Sequence, residues 1–118
     1  MAAAHVGTSI LNSVSNAAAR GSMIQIFATG QGALRNPPPD GSPAATAPLA
    51  ETPARPLVTI GTSSERDALA DFSGLAPGFV GLWQINARVP AVTVPAPRVP
   101  VVVRYGGSAS NVVFIAVR

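Results

Sequence analysis

The chain has 118 residues, a net charge of +3, eight arginines, no lysine and no cysteine. A chain of this length buries about two thirds of its unfolded surface in a single domain, so its core needs neither disulfides nor a metal. The absence of cysteine excludes a disulfide framework, a thiolate zinc site and a cysteine nucleophile. The arginines are spaced singly, whereas a phosphate-binding surface needs clustered basic residues, so we expect no nucleic-acid partner.

The amino-terminal residues are rich in alanine and serine and show weak periodicity. We interpret residues 1–15 as a loosely patterned segment, with one short strand near residues 9–11, and residues 16–118 as a single domain. The first clear strand is predicted at residues 22–29, SMIQIFAT, where apolar side chains fall on both faces. Such two-sided apolarity is typical of a strand inside a sheet.

A long proline-rich stretch follows the first clear strand. Residues 36–56 hold seven of the twelve prolines and lack large apolar side chains apart from Leu49. Each proline removes a backbone donor and fixes φ, so the stretch cannot form an internal strand. We predict an Ω-type loop lying over a sheet edge; a surface loop without function is the alternative.

The remaining predicted strands are short, rich in β-branched residues and bounded by glycine, proline or serine. Residues 89–100 contain four prolines among alternating valines, which predicts an edge strand or an irregular connection. The other predicted strands are residues 56–60, 68–72 and 81–89, followed by a hairpin of residues 101–105 and 111–117 around Gly106 and Gly107.

This pattern of six or seven short strands without a helix predicts an all-β fold. We expect an immunoglobulin-like β-sandwich of about seven short strands with one long proline-rich loop; a barrel of the same strands is the alternative. The apolar runs are far shorter than the ~20 residues that cross a bilayer, so no membrane-spanning segment is expected. The residues assigned to the core or to scaffold turns are Ile26, Phe27, Phe72, Pro77, Gly78, Trp83, Ile85, Val102 and Ile115.

Several blocks of the sequence resemble a known family. They are ARGS (residues 19–22) leading into IFATGQG (26–32), the block APG-x-VGL-x-QIN-x-x-VP (76–90), PVVV (100–103) and SNVVFIAV (110–117). Together they resemble an uncharacterised C-terminal domain of large secreted or cell-surface proteins of Acidobacteria. The resemblance implies an immunoglobulin-like sandwich at the carboxyl end of an exported polypeptide, and it implies no catalytic residues. It thus indicates an extracellular or cell-surface location.

Few residues are candidates for chemistry. His5 is the only histidine, so a histidine metal cluster is excluded, and a Ser-His-Asp triad would depend on the loosely patterned terminus. Glu65, Asp67 and Asp71 are spaced too openly for calcium, and Arg66 among them favours a solvated turn. We therefore expect no enzyme, no cofactor, no metal and no catalytic residue.

Two hypotheses of function remain. The first is a non-catalytic extracellular structural or interaction module, whose partners are neighbouring domains of a longer exported chain or identical subunits. Self-association through sheet edges or an N-terminal strand belongs to this hypothesis. The alternative is a carbohydrate-binding module, in which Phe79, Trp83 and Tyr105 are the candidate ligand-facing residues and a glycan is the partner.

Overall fold

Nine antiparallel strands form the fold in the computed structural model, which describes residues 2–5, 11–45, 48–61 and 67–118. Within these residues there is no helix, and seven strands have four or more residues, so the all-β prediction is confirmed. The strands are β1 (Ala2–His5), β2 (Met23–Ala28), β3 (Leu57–Ile60), β4 (Asp67–Leu69), β5 (Phe72–Leu75), β6 (Trp83–Arg88), β7 (Ala96–Tyr105), β8 (Ser108–Ala109) and β9 (Val113–Val117).

The strands divide into two sheets in an immunoglobulin-like order. Sheet 1 has the order β1-β2-β6-β5, which corresponds to strands A, B, E and D of that fold. Sheet 2 has the order β4-β3-β7, with β8 and β9 both along the other side of β7. Strands β3, β7 and β9 correspond to C, F and G, and β4 is an additional edge strand beside C. A sandwich of two sheets therefore forms, and the barrel alternative is wrong.

The core lies between the inner faces of the two sheets. Side chains alternate along each strand, so every second residue faces inward. Ile26 and Ile85 pair directly between β2 and β6, and both are fully buried. From sheet 2, the core receives Val58, Ile60, Val99, Val101, Val103 and Ile115.

Three residues assigned to the core lie on outer faces instead. Phe27, Phe72 and Val102 are only half-buried. Each is adjacent in sequence to an inward-facing residue of its strand, so alternation directs its own side chain outward. An apolar residue on a strand does not by itself indicate which face is buried.

The predicted strand at residues 68–72 is divided between the two sheets. Strand β4 ends at Leu69 in sheet 2, and β5 begins at Phe72 in sheet 1. Between them the buried Ala70 donates its N–H to the carbonyl of Pro56 at 2.9 Å. The chain thus crosses from one sheet to the other at this point.

Strand β7 begins five residues earlier than predicted, in spite of its prolines. Pro100 pairs with Phe114 of β9, and its carbonyl accepts the N–H of Gly61 on the β3 side at 2.9 Å. Since the backbone of Pro100 faces β3, its missing N–H costs no bond to β9. The pairing of β7 with β9 shifts in register between Ala96 and Val99, and Pro97 lies within this irregular part.

The proline-rich loop packs along the open edge of β5. Glu51 forms bridges with Arg35 and with Gly74 of β5. Leu75 donates its N–H to the carbonyl of Ala50 at 2.8 Å, and the side chains of these two residues share a small buried cluster. The described part of the loop therefore lies over a sheet edge, as predicted.

Gly74 is the position where the loop approaches β5 most closely. A Cβ at this position would overlap the carbonyl oxygen of Ala50 and would lie 3.0 Å from Cα of Glu51. Because both neighbours are backbone atoms, the loop must shift, and we expect Gly74→Ala to lower the free energy of unfolding by about 1–3 kcal/mol. Urea denaturation measures this change. The exposed Ala45→Ser in the same loop serves as control, and an unchanged stability for Gly74→Ala would contradict the packing.

The amino-terminal segment contacts both sheets. Strand β1 pairs with β2, so in this structure the N-terminal strand lies in the sheet of its own chain. Further on, Ala18 pairs in parallel with Val117 at the end of β9, as the A′ part of the first strand can do in such sandwiches. The predicted short strand at residues 9–11 falls mainly on residues 6–10, which are outside the described residues.

Asn12 closes the outer edge of β9 with its side chain. Its Nδ2 donates to the carbonyl of Ala116 at 3.0 Å, and its Oδ1 accepts the N–H of Ala116 at 2.7 Å. The carbonyl of Ala116 also accepts the N–H of Ala18 at 2.9 Å. The side-chain amide of Asn12 thus bonds both backbone groups of Ala116, as a residue of a neighbouring strand would.

Asn12→Ala removes both of these hydrogen bonds. Ala116 is buried and its N–H is left without its partner, so we expect a loss of about 1–3 kcal/mol in the free energy of unfolding. Thermal and urea denaturation measure the loss. Asn111→Ala, at an exposed position, is the matched control, and equal stabilities of the two variants would contradict the role of Asn12.

Candidate functional site

Trp83 is a core residue rather than a ligand-facing one. Its side chain is 6% exposed, and its Nε1 donates to Oγ of Ser73 at 2.9 Å. Ser73 is in turn hydrogen-bonded to Oγ1 of Thr52 at 2.7 Å, and Thr52 donates to the carbonyl of Ala54 at 2.6 Å. The only polar group of the ring is therefore bonded inside the fold, and the hydroxyls of Ser73 and Thr52 link β5 to the proline-rich loop behind it.

A cleft of about 240 Å³ lies beside Trp83 at the end of the sandwich. Tyr105 packs edge-to-face against Trp83, with ring centroids 5.6 Å apart and planes at 61°. Thr29, Ser108 and Asn111 supply polar atoms to the cleft wall. The structure thus brings Trp83 and Tyr105 together, but a sugar platform needs an open ring face, and the indole ring has none.

Phe79 lies elsewhere, in the exposed connection between β5 and β6. It does not line the cleft, so the three candidate ligand-facing residues do not form one site. The turn before it has the predicted conformation, since Gly78 has a φ of 83°, where only glycine is free of strain. Pro77 pairs with Ala44 of the proline-rich loop, which fixes this turn against the loop.

The outer face of sheet 1 carries polar side chains of β6 beside the half-buried Phe27 and Phe72. Nε2 of Gln84 donates to Oδ1 of Asn86 at 2.9 Å, so these side chains bond to each other. Arg88 donates to the carbonyl of Gly21 at 2.9 Å and lies 3.7 Å from the carboxylate of Asp71. The polar groups of this face find partners within the protein, as on a solvated surface.

The outer face of sheet 2 is apolar and carries arginines. Its residues share a face because they alternate with buried residues or pair directly across neighbouring strands. Leu69 is 64% exposed and Phe114 is 48% exposed, and Cζ of Arg98 lies 4.2 Å from the centroid of the Phe114 ring. We call this surface the arginine face and define it by Leu57, Leu69, Arg98, Val102, Arg104 and Phe114.

The acidic residues lie outside β7 and β9, the strands that carry Arg98, Arg104 and Phe114. All five lie between residues 40 and 71, so β6 to β9 and the first 39 residues contain none. Asp67 begins β4 and pairs with Thr59 of β3, so one acidic residue lies in the strand that also supplies Leu69 to the arginine face. Of the acids considered for calcium, Asp71 lies beside Arg88, and Glu65 is outside the described residues. The charge near β7 and β9 is therefore positive.

Sequence reasoning missed the arginine face. The alternation of Arg98, Val102 and Arg104 with buried valines is readable from the sequence and indicates one shared face. Leu57, Leu69 and Phe114 join that face only through strand pairing, for which the sequence contains no signal.

The described residues contain no group of three or more histidine, aspartate or glutamate side chains that could hold a metal ion. The same part of the chain has no helix that is long and apolar enough to span a membrane. Fold and surface together define an immunoglobulin-like β-sandwich whose second sheet has an apolar, arginine-bearing outer face. Comparison with protein-family models, curated proteins and solved structures finds no match to the chain.

Proposed function

We propose that the chain is a non-catalytic structural and interaction module that binds protein partners through the arginine face. The observation that carries this proposal is the exposed ring of Phe114 with the guanidinium of Arg98 stacked on it. Aromatic residues and arginine are enriched in the centres of protein interfaces, and exposed apolar patches mark interaction surfaces. Phe114 under Arg98, with exposed Leu69 on the same face, has this composition.

The proposal includes a place for the module at the carboxyl end of an exported surface protein. Its support is the resemblance of residues 76–90 to the Acidobacterial domain. An antibody raised against the domain tests this location on cells of the source organism. Labelling of intact cells is expected, and labelling only after permeabilisation would contradict an extracellular position.

Self-association through sheet edges is disfavoured at β5 and β9, where the chain already pairs with itself. The edge of β5 is paired with Glu51, and the end of β9 is paired with Ala18 and Asn12. Association through either edge would first require the removal of these contacts. We therefore expect light scattering to report one mass over a wide concentration range, whereas a mass that grows with concentration would indicate edge pairing.

Selection from a displayed random peptide library against the immobilised protein tests the interaction function. We expect binders to depend on the arginine face, so that they lose affinity for Phe114→Ser. Phe27→Ser is the matched control, because Phe27 lies on the outer face of sheet 1. Binders that ignore Phe114, or that depend equally on Phe27, would overturn the proposal.

The carbohydrate-binding alternative is tested by a glycan array. The cleft beside Trp83 and Tyr105 is the surface that favours it, and the burial of the Trp83 ring is the observation against it. We expect no glycan to bind. Binding that is lost in Tyr105→Ala would replace the interaction module by this alternative.

A further inference from the structure

We propose that the partner of the arginine face is an extended acidic segment of another protein, with carboxylates flanking apolar side chains. This inference rests on the proposed interaction function and adds the chemistry of the partner. Three observations carry it: the stacking of Arg98, the spacing of the two arginines along β7, and the excess of arginine over acid on the strands of the face, where Asp67 of β4 is the one acid.

Arg98 is prepared to bind a carboxylate. Its guanidinium lies over the ring of Phe114 at 4.2 Å, which orients the planar group without using its N–H donors. The side chain is exposed, and no hydrogen bond to it is found in the described part of the chain. A planar guanidinium held in this way can form two parallel hydrogen bonds to a carboxylate.

The two arginines define the length of the segment. Arg98 and Arg104 are six residues apart on one face of β7, which corresponds to about 20 Å at ~3.3 Å per residue. Val102 and Pro100 lie between them on that face. An extended segment with two acidic side chains six residues apart, and apolar side chains between them, matches both charges and the apolar floor.

A second copy of the chain fits this surface poorly. Apposition of two arginine faces would bring like charges together, and like charges facing each other are destabilising. The strands of the face carry two arginines in β7 against one acid, Asp67 of β4, so the face has an excess of positive charge. The charge pattern therefore favours a different, acidic protein over self-pairing.

The experiment titrates the 15N-labelled full chain with two synthetic peptides. One has two glutamates six residues apart with valine and threonine alternating between them, and the other has lysines in place of the glutamates. We expect shifts of the amides of Arg98, Val102, Arg104 and Phe114 with the glutamate peptide only. The affinity should fall about tenfold in Arg98→Glu, since charge reversal replaces attraction by repulsion, and it should weaken with added salt.

Arg55→Glu is the matched control, because it makes the same charge change in an exposed loop residue. Equal binding of the lysine peptide, or an equal loss of affinity in Arg55→Glu, would overturn the acidic partner. Binding to vesicles of phosphatidylserine and phosphatidylcholine that the glutamate peptide cannot compete would assign the face to a membrane surface instead. Library binders that need Phe114 but carry no acids would contradict this inference and leave the interaction function standing.

Discussion

Replacement of Trp83 by alanine is expected to lower the free energy of unfolding by about 3–5 kcal/mol. The side chain is buried between the sheets, so its loss leaves a large cavity, and the hydroxyl of Ser73 loses the N–H that it accepts. Domains of this size have total stabilities of about 5–15 kcal/mol, so the variant will be close to unfolding.

Urea denaturation followed by far-ultraviolet circular dichroism measures this effect, since the variant has no tryptophan for fluorescence. Phe79→Ala is the control, because this aromatic side chain is 58% exposed and its removal should change stability by less than about 0.5 kcal/mol. Equal stabilities of the two variants would show that Trp83 is a surface residue.

Ile85→Ala is the second large expected effect, at about 2–5 kcal/mol. Ile85 is fully buried and pairs with Ile26 at the centre of sheet 1, where neighbouring strands prevent collapse around the cavity. The chevron of folding and unfolding rates, together with equilibrium denaturation, measures the loss.

Val80→Ala serves as the matched control for Ile85→Ala. Val80 is exposed, so the removal of its methyl groups should have little effect. A small effect of Ile85→Ala, comparable to that of Val80→Ala, would mean that the inner face of sheet 1 is not packed against sheet 2.

The strands of the fold were predictable because alternation is a local signal. Residues 22–29 and 81–89 contain β2 and β6, and both strands lie within the predicted bounds. The division of residues 68–72 between two sheets was not predictable, since it depends on Ala70 filling a space between them. Whether the strands form a barrel or a sandwich likewise depends on which strands pair, and alternation does not specify the pairing.

The sequence contains no pattern that predicts the contact of Asn12 with the outer edge of β9. Asn12 lies in a segment without periodicity, and its partner Ala116 is 104 residues away. A single side-chain amide that replaces strand pairing leaves no pattern that could be read locally. The proline-rich loop was easier to interpret. Its proline content excludes an internal strand, and a loop of this length stays compact when it packs over the edge of a sheet.

The candidate site was predicted only in part. The expectation that Trp83 anchors the core and the expectation that it faces a ligand could not both hold, and its bond to Ser73 decides for the core. The arginine face requires knowledge of strand order, because Phe114 and Arg98 meet through the pairing of β7 with β9. No spacing within the sequence indicates that contact.

Amide hydrogen exchange tests most directly the central claim that the protein closes the edges of β5 and β9 with its own chain. The N–H groups of Leu75 and Ala116 are bonded to Ala50 and Asn12, whereas the N–H of Phe114 faces the same edge as that of Ala116 and has no partner in the described part of the chain. We predict that the amides of Leu75 and Ala116 exchange more than an order of magnitude more slowly than that of Phe114. Exchange at Leu75 and Ala116 as fast as at Phe114 would show open edges and contradict the account.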